Sequence, residues 1–137
     1  MGTMRDPSKP ATAYSLRRGE GSIHNLGIDF TVKAGERQTT NGAAVLEYVT
    51  RKGEEPEAHT HPTEDEMFYV LEGRLSFKCD AQRFEVEPGG FAFLPHGVEH
   101  GYTIRSDGPV RLLVITAPPR ERSNGWGGFV ADVESGG

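Results

Sequence analysis

Three imidazoles and one carboxylate, His59, His61, Glu66 and His100, are spaced in this chain as a set that could close on one metal ion. His59 and His61 flank a single residue, and at the two-residue period of an extended strand both rings project to one face. The odd interval from His61 to Glu66 would put the carboxylate on the other face. Residues 62–65 must therefore form a loop that resets the parity. Glu64, Asp65 and Glu66 compete for the acidic role; the first two are expected on that loop and in solvent, whereas Glu66 opens an apolar run. His100 follows the turn-forming Pro95, His96 and Gly97. Three nitrogens and one oxygen suit a divalent transition metal and leave positions open on an octahedral ion. His24 and His96 lie outside the grouping and are expected to be exposed, with a fifth ligand or a general base as their other possible roles.

The elements that must carry these side chains read as short strands. Period-two alternation and turn punctuation recur, while helical periodicity is almost absent. Strands are expected over residues 23–32, 44–50, 67–71, 74–78, 82–86, 91–94, 100–104 and 110–116, with 57–61 as a short extended piece. Eighteen glycines and nine prolines, spread along the chain, supply the turns. About ten short strands joined in this way make an all-β barrel or sandwich. Phe68 and Val70 share the parity of Glu66, and Tyr102 and Ile104 share that of His100, so all four should face inward and make the space beyond the ligands mostly apolar. Tyr102 is the one of them that could donate a hydrogen bond to a substrate oxygen; its other role is core packing. Met67, Tyr69 and Leu71 fall on the opposite, outer face.

Size and charge bound the rest. At 137 residues the chain suits one domain. A net charge of −5, with basic residues only in short pairs such as Arg17-Arg18 and Arg51-Lys52, argues against a nucleic-acid partner. A single cysteine, Cys79, excludes an intrachain disulfide and fits a reducing compartment. Residues 1–13 are polar and contain Pro7 and Pro10, and no run is long enough to span a membrane, so a cytoplasmic protein is expected.

The segments holding the ligands resemble the two motifs of the cupins. Gly53, five residues, His59, one, His61, four, Glu66, six, Gly73 matches the first. Gly89, five residues, Pro95, one, Gly97, two, His100 matches the second, which then departs at Ile104, where asparagine is usual. The resemblance covers about residues 46–116, and the segments HTHPTEDEMFYVLEG and PGGFAFLPHGVEH are similar to those of small single-domain, quercetin-dioxygenase-like cupins. It implies a cupin jelly-roll barrel of two antiparallel sheets, with one divalent transition metal per chain (iron, nickel, manganese, cobalt or zinc) on His59, His61, Glu66 and His100. It further implies a small-molecule substrate and a dioxygenase-like oxidoreductase acting on an aromatic or enolic molecule. Glu66, as ligand and base, and Tyr102, as hydrogen-bond donor, would be the catalytic side chains. Polyketide-cyclase-like cyclases, metal-dependent isomerases and non-catalytic small-molecule-binding cupins share the barrel, and these readings stay open. Cupins commonly pair through an outer sheet face, so the Met67, Tyr69, Leu71 stripe implies a homodimer. The expected organisation is a flexible segment at residues 1–13, the barrel at 14–117, and a tail at 118–137. Trp126 and Phe129 of that tail either pack on the barrel or a partner, or fold over the mouth as a lid.

Overall fold

The computed structural model describes residues 11–25, 29–40 and 42–118. Among them are nine strands: β1 (Ser22–Asn25), β2 (Asp29–Ala34), β3 (Ala44–Thr50), β4 (Asp65–Glu72), β5 (Leu75–Cys79), β6 (Gln82–Val86), β7 (Phe91–Leu94), β8 (His100–Ile104) and β9 (Val110–Ala117). No helix occurs among the described residues. Six strands form one sheet in the order β1-β2-β3-β9-β4-β7, and three form a second in the order β6-β5-β8. Every pairing is antiparallel, so the expected two-sheet jelly roll is what the chain adopts.

Alternation drives this arrangement. Every second residue of β3 and of β9 is buried, from Ala44 to Thr50 and from Val110 to Thr116. Removing each large apolar side chain from water contributes about 1.5–3 kcal/mol, and Leu46, Phe77, Leu75 and Leu112 are wholly enclosed. Strand register stacks the inward side chains in layers. Glu66 lies opposite Leu94 on one side and Thr116 on the other, and Thr116 in turn faces Ala44. The next layer holds Phe68, Ala92, Val114 and Leu46. In the second sheet His100 pairs with Cys79, Tyr102 with Phe77 and Ile104 with Leu75. The candidate ligands thus sit at one end of the barrel and the aliphatic core fills the rest.

Two turns close the strands where only glycine is comfortable. Gly73, between β4 and β5, has φ 88°, and a Cβ there would lie 2.7 Å from Val110 Cγ2. Gly97, between β7 and β8, has φ 80°.

Some expectations need correction. The stretch 23–32 is not one strand but two, β1 and β2, paired antiparallel from Ser22 with Val32 to Asn25 with Asp29. β4 begins at Asp65, two residues before the expected start. The described residues hold nine strands where about ten were expected, because 57–61 contributes one isolated bridge, His59 to His100. Residues 1–10 and 119–137, with Trp126 and Phe129, lie outside the described residues.

Candidate metal centre

Backbone pairing brings the His59–His61 segment to the start of β8. The His59 N–H donates to the His100 carbonyl and the His100 N–H to the His59 carbonyl, both at 2.9 Å. Two residues on, the Gly97 N–H donates to the His61 carbonyl at 2.7 Å. The HxH piece is therefore fastened at both ends to the turn and strand that deliver His100. Glu66 comes from the larger sheet, held between β9 and β7.

The four side chains converge. One donor atom from each of His59, His61, Glu66 and His100 lies within 4.8 Å of all the others. Donors each about 2.0–2.2 Å from one ion are at most about 4.4 Å apart, so the set nearly spans a single coordination sphere. Glu66 Oε1 is 2.8 Å from His100 Nε2 and 3.1 Å from His61 Nε2. The rings stand 4.7 Å (His59 to His61), 4.7 Å (His59 to His100) and 5.2 Å (His61 to His100) apart.

Hydrogen bonds behind the rings fix how they present themselves. His59 Nδ1 is 2.8 Å from the Glu57 carbonyl and His100 Nδ1 is 3.3 Å from the Val98 carbonyl. A carbonyl can only accept, so each Nδ1 carries a proton; each Nε2 faces inward, that of His100 hydrogen-bonded to Glu66, and becomes a metal-donor atom once any proton on it is lost. That support is what metal-binding histidines receive from their surroundings. The donor set thus fits a divalent metal on chemical grounds.

Electrostatics agree. Burial alone would raise the Glu66 carboxyl, but hydrogen bonds to His100 and His61, together with their charge, outweigh it and bring the group to about 2. Glu66 is an ionised carboxylate in an enclosed setting, stabilised only by its partners.

Other expected site residues are placed as follows. Glu64, expected in solvent, is fully buried at 0% exposure, and Asp65 is half-buried at the start of β4. The parity reset is complete within Pro62 and Thr63, two consecutive exposed residues, after which Glu64 and Glu66 both turn inward. Asp65 accepts from the His96 backbone N–H at 2.9 Å and lies 2.8 Å from its Nδ1. Those two bonds hold the Asp65 carboxyl below its ordinary value. His96 is exposed, as expected. His24 lies in β1, and its side chain is outside the described residues. Phe68, Val70, Tyr102 and Ile104 face inward. The Tyr102 ring packs 5.9 Å from Phe77 and 6.3 Å from Phe68, and its hydroxyl hydrogen-bonds to Tyr48 and Thr50. Burial, then Tyr48, push its phenol far above the ordinary range, so it stays protonated, and its hydroxyl serves these neighbours rather than the ligand layer. Cys79 is buried at the end of β5, its thiol raised by burial and by Asp80. Thr116, beside Glu66 in the sheet, went unnoticed in the sequence, where a strand threonine carries no signal.

A cupin domain model matches residues 46–116, which include all four candidate ligands. The chain belongs to the cupin family. It is 31% identical over 99 residues to quercetin 2,3-dioxygenase of Bacillus subtilis, a match taking in 72% of this chain but 29% of that protein. It is 29% identical over 102 residues to the polyketide synthase CurC of Streptomyces cyaneus, covering 74% of this chain and 62% of that one. Among solved structures, the TT1209 protein of Thermus thermophilus is 32% identical with a TM-score of 0.53, over 57% of this chain and 74% of that one. An RmlC-like cupin of Shewanella frigidimarina has a TM-score of 0.62 at 20% identity, over 80% and 95% of the two chains, a likeness of fold alone.

Proposed function

We propose that this cupin holds one divalent transition metal on His59, His61, Glu66 and His100 and is a dioxygenase-like oxidoreductase acting on a small aromatic or enolic molecule. The observation that carries the proposal is the convergence of four donors with the Nδ1 atoms of His59 and His100 tied back to carbonyls. The 31% identity to quercetin 2,3-dioxygenase supports the choice of reaction. When bound, the metal supplies Lewis acidity and, if redox-capable, a route for electrons to oxygen. The chain's own part is to exclude water and orient the substrate with the inward ring of Phe68, while Tyr102, its hydroxyl engaged by Tyr48 and Thr50, packs behind it. Glu66 serves as ligand and as the base that takes a substrate proton. The similarity to CurC favours a second reading, a cyclase or isomerase in which the metal acts only as a Lewis acid. A non-catalytic binder is the third.

Reconstituting metal-free protein with iron, nickel, manganese, cobalt and zinc, each offered a flavonol, separates these. Dioxygenation requires oxygen uptake with at least one redox-capable ion and none with zinc. Turnover with zinc and without oxygen uptake would replace it by the cyclase or isomerase reading. No turnover with any ion would leave a binder.

The same proposal extends to assembly and place. Tyr69, Leu71, Phe91 and Phe93 are large apolar residues exposed on neighbouring strands β4 and β7. We propose that they form a two-fold homodimer interface in a cytoplasmic protein. No helix among the described residues is long and apolar enough to cross a membrane.

A further inference from the structure

We infer that Thr116 is a ligand-positioning residue whose hydroxyl donates a hydrogen bond to an anionic oxygen of a small molecule bound beside Glu66. The inference rests on the metal-centred reading above and assigns a role to a side chain outside the ligand set.

Thr116 is wholly buried on the inward face of β9 and is the cross-strand neighbour of Glu66 in β4 and of Ala44 in β3. Directly opposed residues have Cβ atoms about 4.5–5.5 Å apart, so the hydroxyl shares the layer of the ligands. Its Oγ1 has no hydrogen-bond partner among the described residues. Thr50, the other buried threonine, differs: its hydroxyl reaches Glu54 Oε1 at 3.4 Å and hydrogen-bonds to Tyr102. The inward residues that precede Thr116 along β9 are Val110, Leu112 and Val114, all apolar. A hydroxyl thus replaces a methyl in the layer where the candidate metal ligands lie. Burying a hydroxyl unserved costs stability that valine, of the same shape, would not cost. A donor kept there is suited to a partner that arrives with the bound molecule. Being short and set in an apolar wall, it fits one oxygen atom of a compact enolate, hydroxamate or carboxylate rather than an extended polar group.

The test uses the full chain loaded with cobalt(II), with acetohydroxamate as probe and the visible cobalt bands as readout. Thr116→Val and Thr116→Ser should bind cobalt as wild type does. Thr116→Val should lose about five- to tenfold in acetohydroxamate affinity, the worth of one hydrogen bond, while Thr116→Ser stays within about twofold. Metal-free Thr116→Val should melt above wild type, its unserved hydroxyl gone. Should the valine variant fail to fold, Thr116→Ala carries the same affinity comparison. Unchanged acetohydroxamate affinity in Thr116→Val would overturn the inference. So would loss of cobalt itself, which would tie Thr116 to the ion rather than to its ligand. Wild type that binds cobalt but no acetohydroxamate overturns the inference and leaves the metal site standing. Wild type that takes up no cobalt refutes the metal-centred reading beneath it.

Discussion

Glu66 is held by opposing forces. Burial penalises its charge, and two imidazole contacts of 2.8 and 3.1 Å more than offset that penalty. Its folded value of about 2 lies below the ordinary 4.5, so its contribution to stability is full above pH 4.5 and fades as pH falls from there toward 2. Metal-free wild type should therefore lose stability across that window more steeply than Glu66→Gln, as followed by urea unfolding. Equal acid slopes would remove Glu66 as the responsible group. Metal binding has its own pH dependence, set higher. An imidazole must be neutral to bind a metal, so protons compete with the ion for each of the three rings as the solution is acidified. Affinity should fall steeply below neutrality, with more than one proton taken up per ion released. Flat affinity from neutral pH to mild acid would indicate that carboxylate or water, rather than imidazole, dominates the site.

At the scale of elements, the turn before β8 is the piece that aligns both histidine motifs. A Cβ on Gly97 would meet nothing within 4 Å, so the cost of Gly97→Ala is backbone strain at φ 80°, about 1–2 kcal/mol. Because the Gly97 N–H holds the His61 carbonyl, that variant should also weaken metal binding. Gly108→Ala, in open space without a positive φ, is the control and should do neither. Loss of metal affinity in both variants, or in neither, would detach the turn from the site. Much of this architecture was legible in the sequence. The limits of β3, β6, β7 and β8 follow from alternation bounded by glycine and proline. The four candidate ligands follow from strand parity and motif spacing. What was not legible depends on tertiary neighbours. A carboxylate on a short loop is ordinarily solvated, yet Glu64 is enclosed once β4's alternation extends back to it. The Asp65–His96 pair joins positions 31 apart in sequence, and only the folded turn brings them together. Thr116 became visible when register set it opposite Glu66.

Among the described residues, the larger sheet carries an exposed apolar patch at its β4–β7 edge. Tyr69 (41% exposed), Phe91 (56%) and Phe93 (48%) leave the β4–β7 side of the larger sheet apolar. A homodimer through that face should sediment near twice the 15.0 kDa chain mass, and Tyr69→Glu with Phe93→Glu should return it to a monomer with its metal content intact. A wild-type mass near a single chain would count against pairing. The end of the barrel carries the four candidate ligands. Metal analysis of wild type, His61→Ala and His100→Ala, purified without chelator and checked for folding by circular dichroism, addresses that directly. Wild type should carry about one divalent transition metal ion per chain, and each alanine variant should fold yet lose most of it, because an enclosed site depends on its full set of ligands. Both variants retaining stoichiometric metal would contradict the assignment of His59, His61, Glu66 and His100 as the metal centre.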